Sequence, residues 1–386
     1  MKIVYIYHSF ILKGGIERVF CDKMNYLAQN TSYDVTFITF EQGNHPFAYK
    51  LNDRIKVVDI NCRFAELWNY NIIKRNILNF ILRRKLKKCL TATLKKESPD
   101  IVISTTEDIQ YNYCIFNLPY RFIVESHVHM KEIIKSSIKK QFFIHSISKI
   151  FFKWKLSKIN KCKLLVALTD ADKRDWSKVI NSDIIIIPNI LTFYPDKITD
   201  YSKRSKRILC VGRLTKQKGF DLMIKVWAKI ADKHKDWKVD IYGDGDLRDT
   251  LNELINNYGL NDSITLHPST SNIYNEHMDS SIFAFSSRFE GFGLVLIEAM
   301  SCGVPCISFD CPHGPSEIIT NGKNGLLVQN GNIDEFANSL DSMINNYEQR
   351  KFMSINARID SQKYKRENIM PQWIELFETL SNTMRI

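Results

Sequence analysis

Two carboxylates bracket a glycine turn in the stretch Ser286-Ser287-Arg288-Phe289-Glu290-Gly291-Phe292-Gly293-Leu294-Val295-Leu296-Ile297-Glu298. An apolar run, Ile282 to Phe285, precedes the turn and reads as a buried strand, and a helical pattern follows it. Strand, turn and helix start together make an anion-receptive site. Gly291 and Gly293 let backbone N–H groups come close to a ligand, and the positive end of the helix dipole favours a phosphate. At eight residues' separation Glu290 and Glu298 differ by about 80° of helical rotation, so they are not stacked on one helix face. They are placed to grip different parts of one ligand.

A second cluster follows the apolar run Ile208 to Val211: Gly212-Arg213-Leu214-Thr215-Lys216-Gln217-Lys218-Gly219. Gly212 permits close approach, and the Arg213 fork with the Lys218 point charge suits a diphosphate. Either cation alone reads equally well as a surface charge near a helix start. Gly243-Asp244-Gly245 forms another tight turn after the next apolar run. In the first half, Gly14-Gly15 stands at a helix entrance, and Glu125-Ser126-His127-Val128-His129 offers two imidazoles after the run Phe122 to Glu125. Alternation points both histidines to one side; His127, nearer the strand end, is preferred over His129. A satisfied structural histidine is the plain alternative for each.

The elements that must position these groups alternate along the whole chain. Apolar strands are expected at Lys2 to Tyr7, Val35 to Phe40, Lys56 to Ile60, Ile101 to Ser104, Phe122 to Glu125, Leu164 to Leu168 and Ile184 to Ile187. A second series runs Ile208 to Val211, Lys238 to Tyr242, Ile264 to Leu266, Ile282 to Phe285, Pro305 to Phe309 and Gly325 to Val328. Helical patterns separate most of them, which predicts parallel sheets covered by helices on both faces. A chain of 386 residues exceeds what one core usually serves, so two domains are expected. The polar stretch Thr192 to Lys206 lacks periodicity and is the linker candidate. The expected division is 1–195, 203–365, and a C-terminal helix 366–386 that docks back on the first domain.

Taken together, the Gly-Arg-Leu-x-x-x-Lys-Gly cluster, Gly243-Asp244-Gly245, the Glu-x7-Glu stretch and Gly314-Pro315-Ser316-Glu317-Ile318-Ile319 with Gly322 and Gly325 resemble the retaining glycosyltransferases of family 4. The motifs fall in family order between residues 208 and 328, with looser support from Gly14-Gly15-Ile16-Glu17 and His127. The resemblance implies an α/β fold of the GT-B type, two Rossmann-like doubly wound domains facing a central cleft. It implies that Arg213 and Lys218 hold the donor diphosphate, assisted by backbone at Gly212, Gly291, Phe292, Gly293 and Leu294. Glu298 would take the nucleotide ribose and Glu290 the transferred sugar. Asp244 would lie at the same rim, Gly15 would line the cleft from the first domain, and His127 would sit beside the reacting sugar. The catalytic set is then His127, Glu290, Arg213 and Lys218. No metal or further cofactor is implied, and no DxD sequence flanked by apolar strand residues is present. The co-substrate implied is a UDP-linked hexose or N-acetylhexosamine, with the base near Leu266 to Ile273, and the acceptor a lipid-linked glycan of bacterial surface polysaccharide. A nucleotide-sugar epimerase would share the fold and donor site. An NAD-dependent oxidoreductase is disfavoured, because Gly14-Gly15 is not a Gly-x-Gly-x-x-Gly turn.

Charge adds a second line of inference. The net charge of +12 lies wholly in residues 1–200, with 32 Lys+Arg against 19 Asp+Glu; residues 201–386 hold 22 against 23. Lys74 to Lys96 carries nine basic residues and no acid, and Lys131 to Lys163 carries ten lysines opposed only by Glu132. Both interleave large apolar residues, a pattern suited to an anionic membrane surface or to a solvated helix with a core face. A non-enzymatic membrane or nucleic-acid adaptor would use the charge but leave the motifs of the second half idle. No zinc-finger, RRM or KH pattern accompanies the charge, so nucleic acid is not an expected partner. The opening apolar run is too short for a signal-peptide core and no 18 consecutive apolar residues occur, so a cytoplasmic enzyme on the inner membrane face is expected. Nine cysteines without CxxC spacing read as reduced thiols; even Cys302, Cys306 and Cys311 read as buried apolar residues.

Overall fold

The computed structural model describes residues 1–130, 154 and 156–382. The chain divides into two compact units, Met1–Ile190 with Ile369–Ile386, and Leu191–Asn368. The helix Arg366–Asn382 carries the chain from the second unit into the first.

In the first unit seven strands form one parallel sheet: β1 Lys2–Ile6, β2 Asp34–Thr39, β3 Lys56–Asp59, β4 Ile101–Thr105, β5 Arg121–Glu125, β6 Leu164–Ala167 and β7 Asp183–Ile186. Their order is β3-β2-β1-β4-β5-β6-β7. β1 is central, with Val4 opposite Thr36 on one side and Val102 on the other. Strands covered on both faces need continuous apolar runs, which is why β1 and β4 read so clearly in sequence. Ile6, Ile38, Val102 and Val124 meet Leu86, Leu90 and Leu94 of the helix Ile72–Glu97 in the core.

Six strands form the second unit's sheet: β8 Ser205–Val211, β9 Lys238–Tyr242, β10 Ile264–His267, β11 Ser280–Phe285, β12 Cys306–Asp310 and β13 Gly325–Gln329. The order β10-β9-β8-β11-β12-β13 is again wholly parallel. Each sheet reverses its strand order at one place, between β1 and β4 and between β8 and β11, and ligands bind outside the carboxyl ends of strands at such points.

Two expectations change in detail. The helix after the Glu290 turn is Leu294–Ser301, so Glu290 lies outside it and helical rotation does not govern its relation to Glu298. The stretch Thr192 to Lys206 is packed into the second unit. Arg204, 7 % exposed, donates to the carbonyls of His277, Ser280 and Cys302, and the Tyr201 hydroxyl donates to Ser281. These polar ties leave no periodic trace, so the segment looks like a linker in sequence.

The basic helix Ile72–Glu97 has two different halves. Its C-terminal half buries Leu86, Leu90 and Leu94, whereas Ile73, Ile77, Phe80 and Ile81 are exposed at 71, 57, 56 and 53 %. Cations cover aromatic faces there: Lys74 lies 4.3 Å from the Tyr70 ring, Arg75 4.8 Å from Trp68 and Arg84 4.3 Å from Phe80. Most of the other basic stretch, Lys131 to Lys163, lies outside the described residues. Among the described residues, no helix is long and apolar enough to cross a membrane.

Candidate active site

The carboxyl ends of β8 and β11 carry the two motif clusters of the second unit, so sheet topology brings them side by side. Backbone and side chains then lock the loops together. Arg288 N–H donates to the Gln217 carbonyl at 2.8 Å, Gln217 Nε2 donates to the Phe289 carbonyl at 3.1 Å, and Ser286 Oγ donates to the Lys218 carbonyl at 3.0 Å. Arg288 also grips Asp221 through two parallel bonds of 2.8 and 2.7 Å. The result is one ledge built from residues 67 to 72 apart in sequence.

On that ledge Lys218 Nζ lies 2.7 Å from Glu290 Oε1, with side chains 16 and 8 % exposed. Arg213 is exposed and forms no ion pair with a described residue, so its guanidinium is available to an incoming anion. Gly212 and Gly243 pack their turns against each other: a Cβ on Gly243 would lie 1.9 Å from the Gly212 carbonyl oxygen. Asp244 is turned to Ser269, accepting from its N–H at 3.2 Å and from its hydroxyl, and to Arg248 at 3.3 Å. These bonds hold its carboxyl below the usual range.

The Gly314-Pro315-Ser316 motif is the third side of the ledge. Gly314 has φ +114°, and a Cβ there would lie 1.8 Å from the Phe292 carbonyl oxygen, while Glu290 N–H donates to the Pro312 carbonyl at 3.2 Å. Only glycine lets that chain pass behind the turn. Gly291, Phe292, Gly293 and Leu294 complete the passage into the helix, with Gly293 at φ +101° as its N-cap. Glu298, one turn into the helix, accepts from the Thr192 hydroxyl at 2.6 Å. Glu290 and Glu298 therefore have different protein partners, Lys218 and Thr192.

The remaining candidates lie in the first unit. Gly15 opens the helix Gly15–Asn30, with Gly14 as its N-cap. His127 is buried: its Nε2 lies 3.0 Å from Glu125 Oε2 and its N–H donates to Glu107 at 3.2 Å. Glu125 in turn takes the ammonium of Lys23 at 2.5 Å, both side chains being at most 2 % exposed, and Lys23 Nζ sits 4.0 Å from the Trp373 ring. Burial alone would raise the Glu125 carboxyl, but Lys23 and His127 outweigh it and hold it below the usual range, whereas burial pulls Lys23 down. His129 Nε2 lies 3.7 Å from Asp175 Oδ2. The imidazole of His127 thus belongs to a buried charge network, an attachment that the strand-end sequence alone did not reveal.

Comparison with known proteins completes the description. Residues 196–360 match the family described as glycosyl transferases group 1. The chain is 30 % identical over 374 residues to an uncharacterized glycosyltransferase of Haemophilus influenzae, covering 96 % of this chain and 98 % of that one. It is 24 % identical over 382 residues to the amylovoran biosynthesis glycosyltransferase AmsD of Erwinia amylovora, covering 97 and 99 %. The fold matches S. aureus TarM, a structure in complex with fondaparinux, alpha-GlcNAc-glycerol and UDP, at TM-score 0.75 and 19 % identity over 97 % of this chain and 99 % of that one. Two parallel-sheet Rossmann-like units with a C-terminal helix are the fold of the GT-B glycosyltransferases. The chain belongs to the glycosyltransferases, with a group 1 domain in its second unit.

Several site-bearing groups escaped the sequence. Thr192, Asp221 and Lys23 have partners 106, 67 and 102 residues away, and His8 pairs with Asp108 across 100. No local spacing signals such pairs.

Proposed function

We propose that this enzyme is a retaining glycosyltransferase of family 4 that moves a hexose or N-acetylhexosamine from a UDP-sugar to a lipid-linked glycan at the inner membrane face. The observation that carries this reading is the ledge at the β8/β11 switch point, where Lys218 stands beside Glu290, a glycine-capped helix follows the Glu290 turn, and Arg213 is exposed just beyond β8. Breaking the anomeric C–O bond sends its electron pair to the diphosphate, so the dominant need is charge stabilisation on that group. Arg213, Lys218 and the N–H groups at Gly293 and Leu294 meet it without a metal or cofactor. Glu290 orients hydroxyls of the transferred sugar, Glu298 accepts from the ribose, and Gly212, Gly243 and Gly245 let backbone close on the nucleotide, with Asp244 at the rim. The acceptor oxygen attacks the face that the diphosphate leaves and its proton passes to a diphosphate oxygen, so configuration is kept. His127 and Gly15 serve the first unit's side of the reaction. TarM, held with UDP and alpha-GlcNAc-glycerol, supports the donor class by analogy.

The exposed apolar residues and cations of Ile72–Glu97 support the membrane part of the reading, since Ile73, Ile77, Phe80 and Ile81 would enter the headgroup region while the lysines and arginines meet anionic lipid. The test is a panel of UDP-sugars scored by thermal stabilisation with EDTA present, followed by transfer to lipid-linked acceptors and NMR of the new anomeric centre. Inversion of configuration, dependence on a metal, or epimerised donor formed without acceptor overturns it.

A further inference from the structure

The helix Arg248–Asn257 opens on a cation. The positive end of a helix dipole disfavours a guanidinium in its first turn, so an arginine placed there is held by other partners. Arg248 Nη2 donates to the Gly243 carbonyl at 2.6 Å and to the His267 carbonyl at 3.0 Å, and it reaches Asp244 Oδ1 at 3.3 Å. Its Nη1 donates to the Leu266 carbonyl at 3.3 Å. Gly243 and Asp244 follow β9, and Leu266 and His267 close β10. One side chain therefore ties the carboxyl ends of both strands. Its donors are fixed in one plane, so the acceptors are fixed relative to one another.

The tie extends in two directions. On one side, Asp244 Oδ2 accepts from the Ser269 N–H at 3.2 Å and from the Ser269 hydroxyl, which holds the exposed loop after β10 to the Gly243-Asp244-Gly245 turn. His267 is anchored independently, with its Nε2 2.8 Å from Asp240 Oδ1 and its ring stacked on Tyr242 at 4.3 Å. On the other side, the end of β9 and its turn grip both neighbours of Arg213. The Gly212 N–H donates to the Tyr242 carbonyl at 3.0 Å, the Leu214 N–H to the Asp244 carbonyl at 2.8 Å, and the Leu247 N–H to the Leu214 carbonyl at 3.1 Å. A Cβ on Gly245 would lie 2.5 Å from that Leu214 carbonyl oxygen. Arg213, exposed between two tied residues, has its backbone fixed by the turn that Arg248 holds.

We infer that Arg248 is a positioning residue that sets the spacing between the loop after β10, on the base side of the donor site, and Arg213, on the diphosphate side. This deepens the donor-site reading and rests on it. Arg248 needs no contact with the nucleotide to act in this way. A ligand that reaches both places benefits from the fixed spacing, because its second half binds intramolecularly at an effective concentration set by the scaffold. Uridine and inorganic pyrophosphate each reach one place and gain nothing from it.

The test uses the full chain and its Arg248→Ala and Arg248→Lys variants. UDP binding is measured by calorimetry, and binding of uridine and inorganic pyrophosphate by displacement of UDP at constant ionic strength. Arg248→Ala should weaken UDP by about tenfold or more, with uridine and pyrophosphate each changed by less than about threefold. Arg248→Lys keeps the charge but not the planar fork, and should show the same split at a melting temperature closer to that of the wild type. A general loosening of the second unit would weaken all three ligands alike. That uniform loss in Arg248→Lys overturns the proposal, as does unchanged UDP affinity in either variant; if Arg248→Ala does not fold, Arg248→Lys alone decides. The wild type separates the two readings: UDP bound there with no split in the variants sinks only the positioning role, and no UDP binding sinks the transferase reading.

Discussion

Lys218 Nζ stands 2.7 Å from Glu290 Oε1 on a ledge where both side chains are largely buried. Without donor, the cation assigned to the diphosphate is neutralised by the carboxylate assigned to the sugar. The pair holds both groups at the β8/β11 switch point before substrate arrives, which spares the ordering of two long side chains at the moment of binding. Glu290→Gln frees the ammonium while removing the carboxylate. UDP should then bind as tightly as in the wild type or tighter, while sugar transfer falls by about 100-fold, a loss typical of one strong polar contact to the reacting group. Calorimetry with UDP and a transfer assay separate the two effects.

Removing the cations should act the other way. Lys218→Ala leaves Glu290 buried without its ion-pair partner, and Arg213→Ala removes the exposed fork. Each should weaken UDP binding by about tenfold or more, at about 1.5–3 kcal/mol for a charge-assisted hydrogen bond. Lys218→Ala should also lower stability, because it orphans a buried carboxylate, whereas exposed Arg213 can be removed without that cost. Thermal melts of the two variants without ligand distinguish them.

Gly314→Ala tests the close passage behind the turn. Its φ of +114° and the 1.8 Å approach to the Phe292 carbonyl oxygen leave no room for a methyl group. The loop carrying Glu290 must move, so we expect a stability loss of about 2 kcal/mol, in the range for strained backbone, together with loss of UDP binding. Gly322→Ala, at φ +77° but with nothing within 4 Å of the added Cβ, should lose some stability yet keep UDP binding.

What the sequence made legible was local. The described strands were foreshadowed by apolar runs, most clearly β1, β4 and β11, which are buried on both faces and need unbroken runs, and the turns carrying Arg213, Lys218, Glu290 and Gly314 declared themselves through glycine spacing. Pairings across the sheet edge did not. Lys218 and Glu290 are 72 residues apart, and His8 and Asp108 are 100 apart, so neither pair has a periodicity to detect. The Thr192 to Lys206 stretch misled for a related reason: its packing rests on Arg204 bonding to distant carbonyls, not on an apolar pattern. In the helix Ile72–Glu97 the periodicity could not say that Leu86, Leu90 and Leu94 go inward while Ile77 and Phe80 stay out, because both halves mix apolar and basic residues alike.

The buried network in the first unit yields the last prediction. Lys23 and Glu125 form an ion pair out of water, His127 shares the carboxylate, and Trp373 of the C-terminal helix lies over the ammonium. Lys23→Met leaves the carboxylate buried with only His127 to balance it, and should cost about 3–5 kcal/mol, the range for breaking such a pair from one side. Adding Glu125→Gln should recover much of the loss, because the pair is then removed from both sides, and urea denaturation of the single and double variants measures the coupling. The pH dependence has a definite sign. Glu125 is held below the ordinary glutamate value of 4.5 in the folded chain, so the stability it contributes is present above that value and is lost as acid takes the pH down through the folded pKa. Glu125→Gln should flatten the stability curve in that acid window.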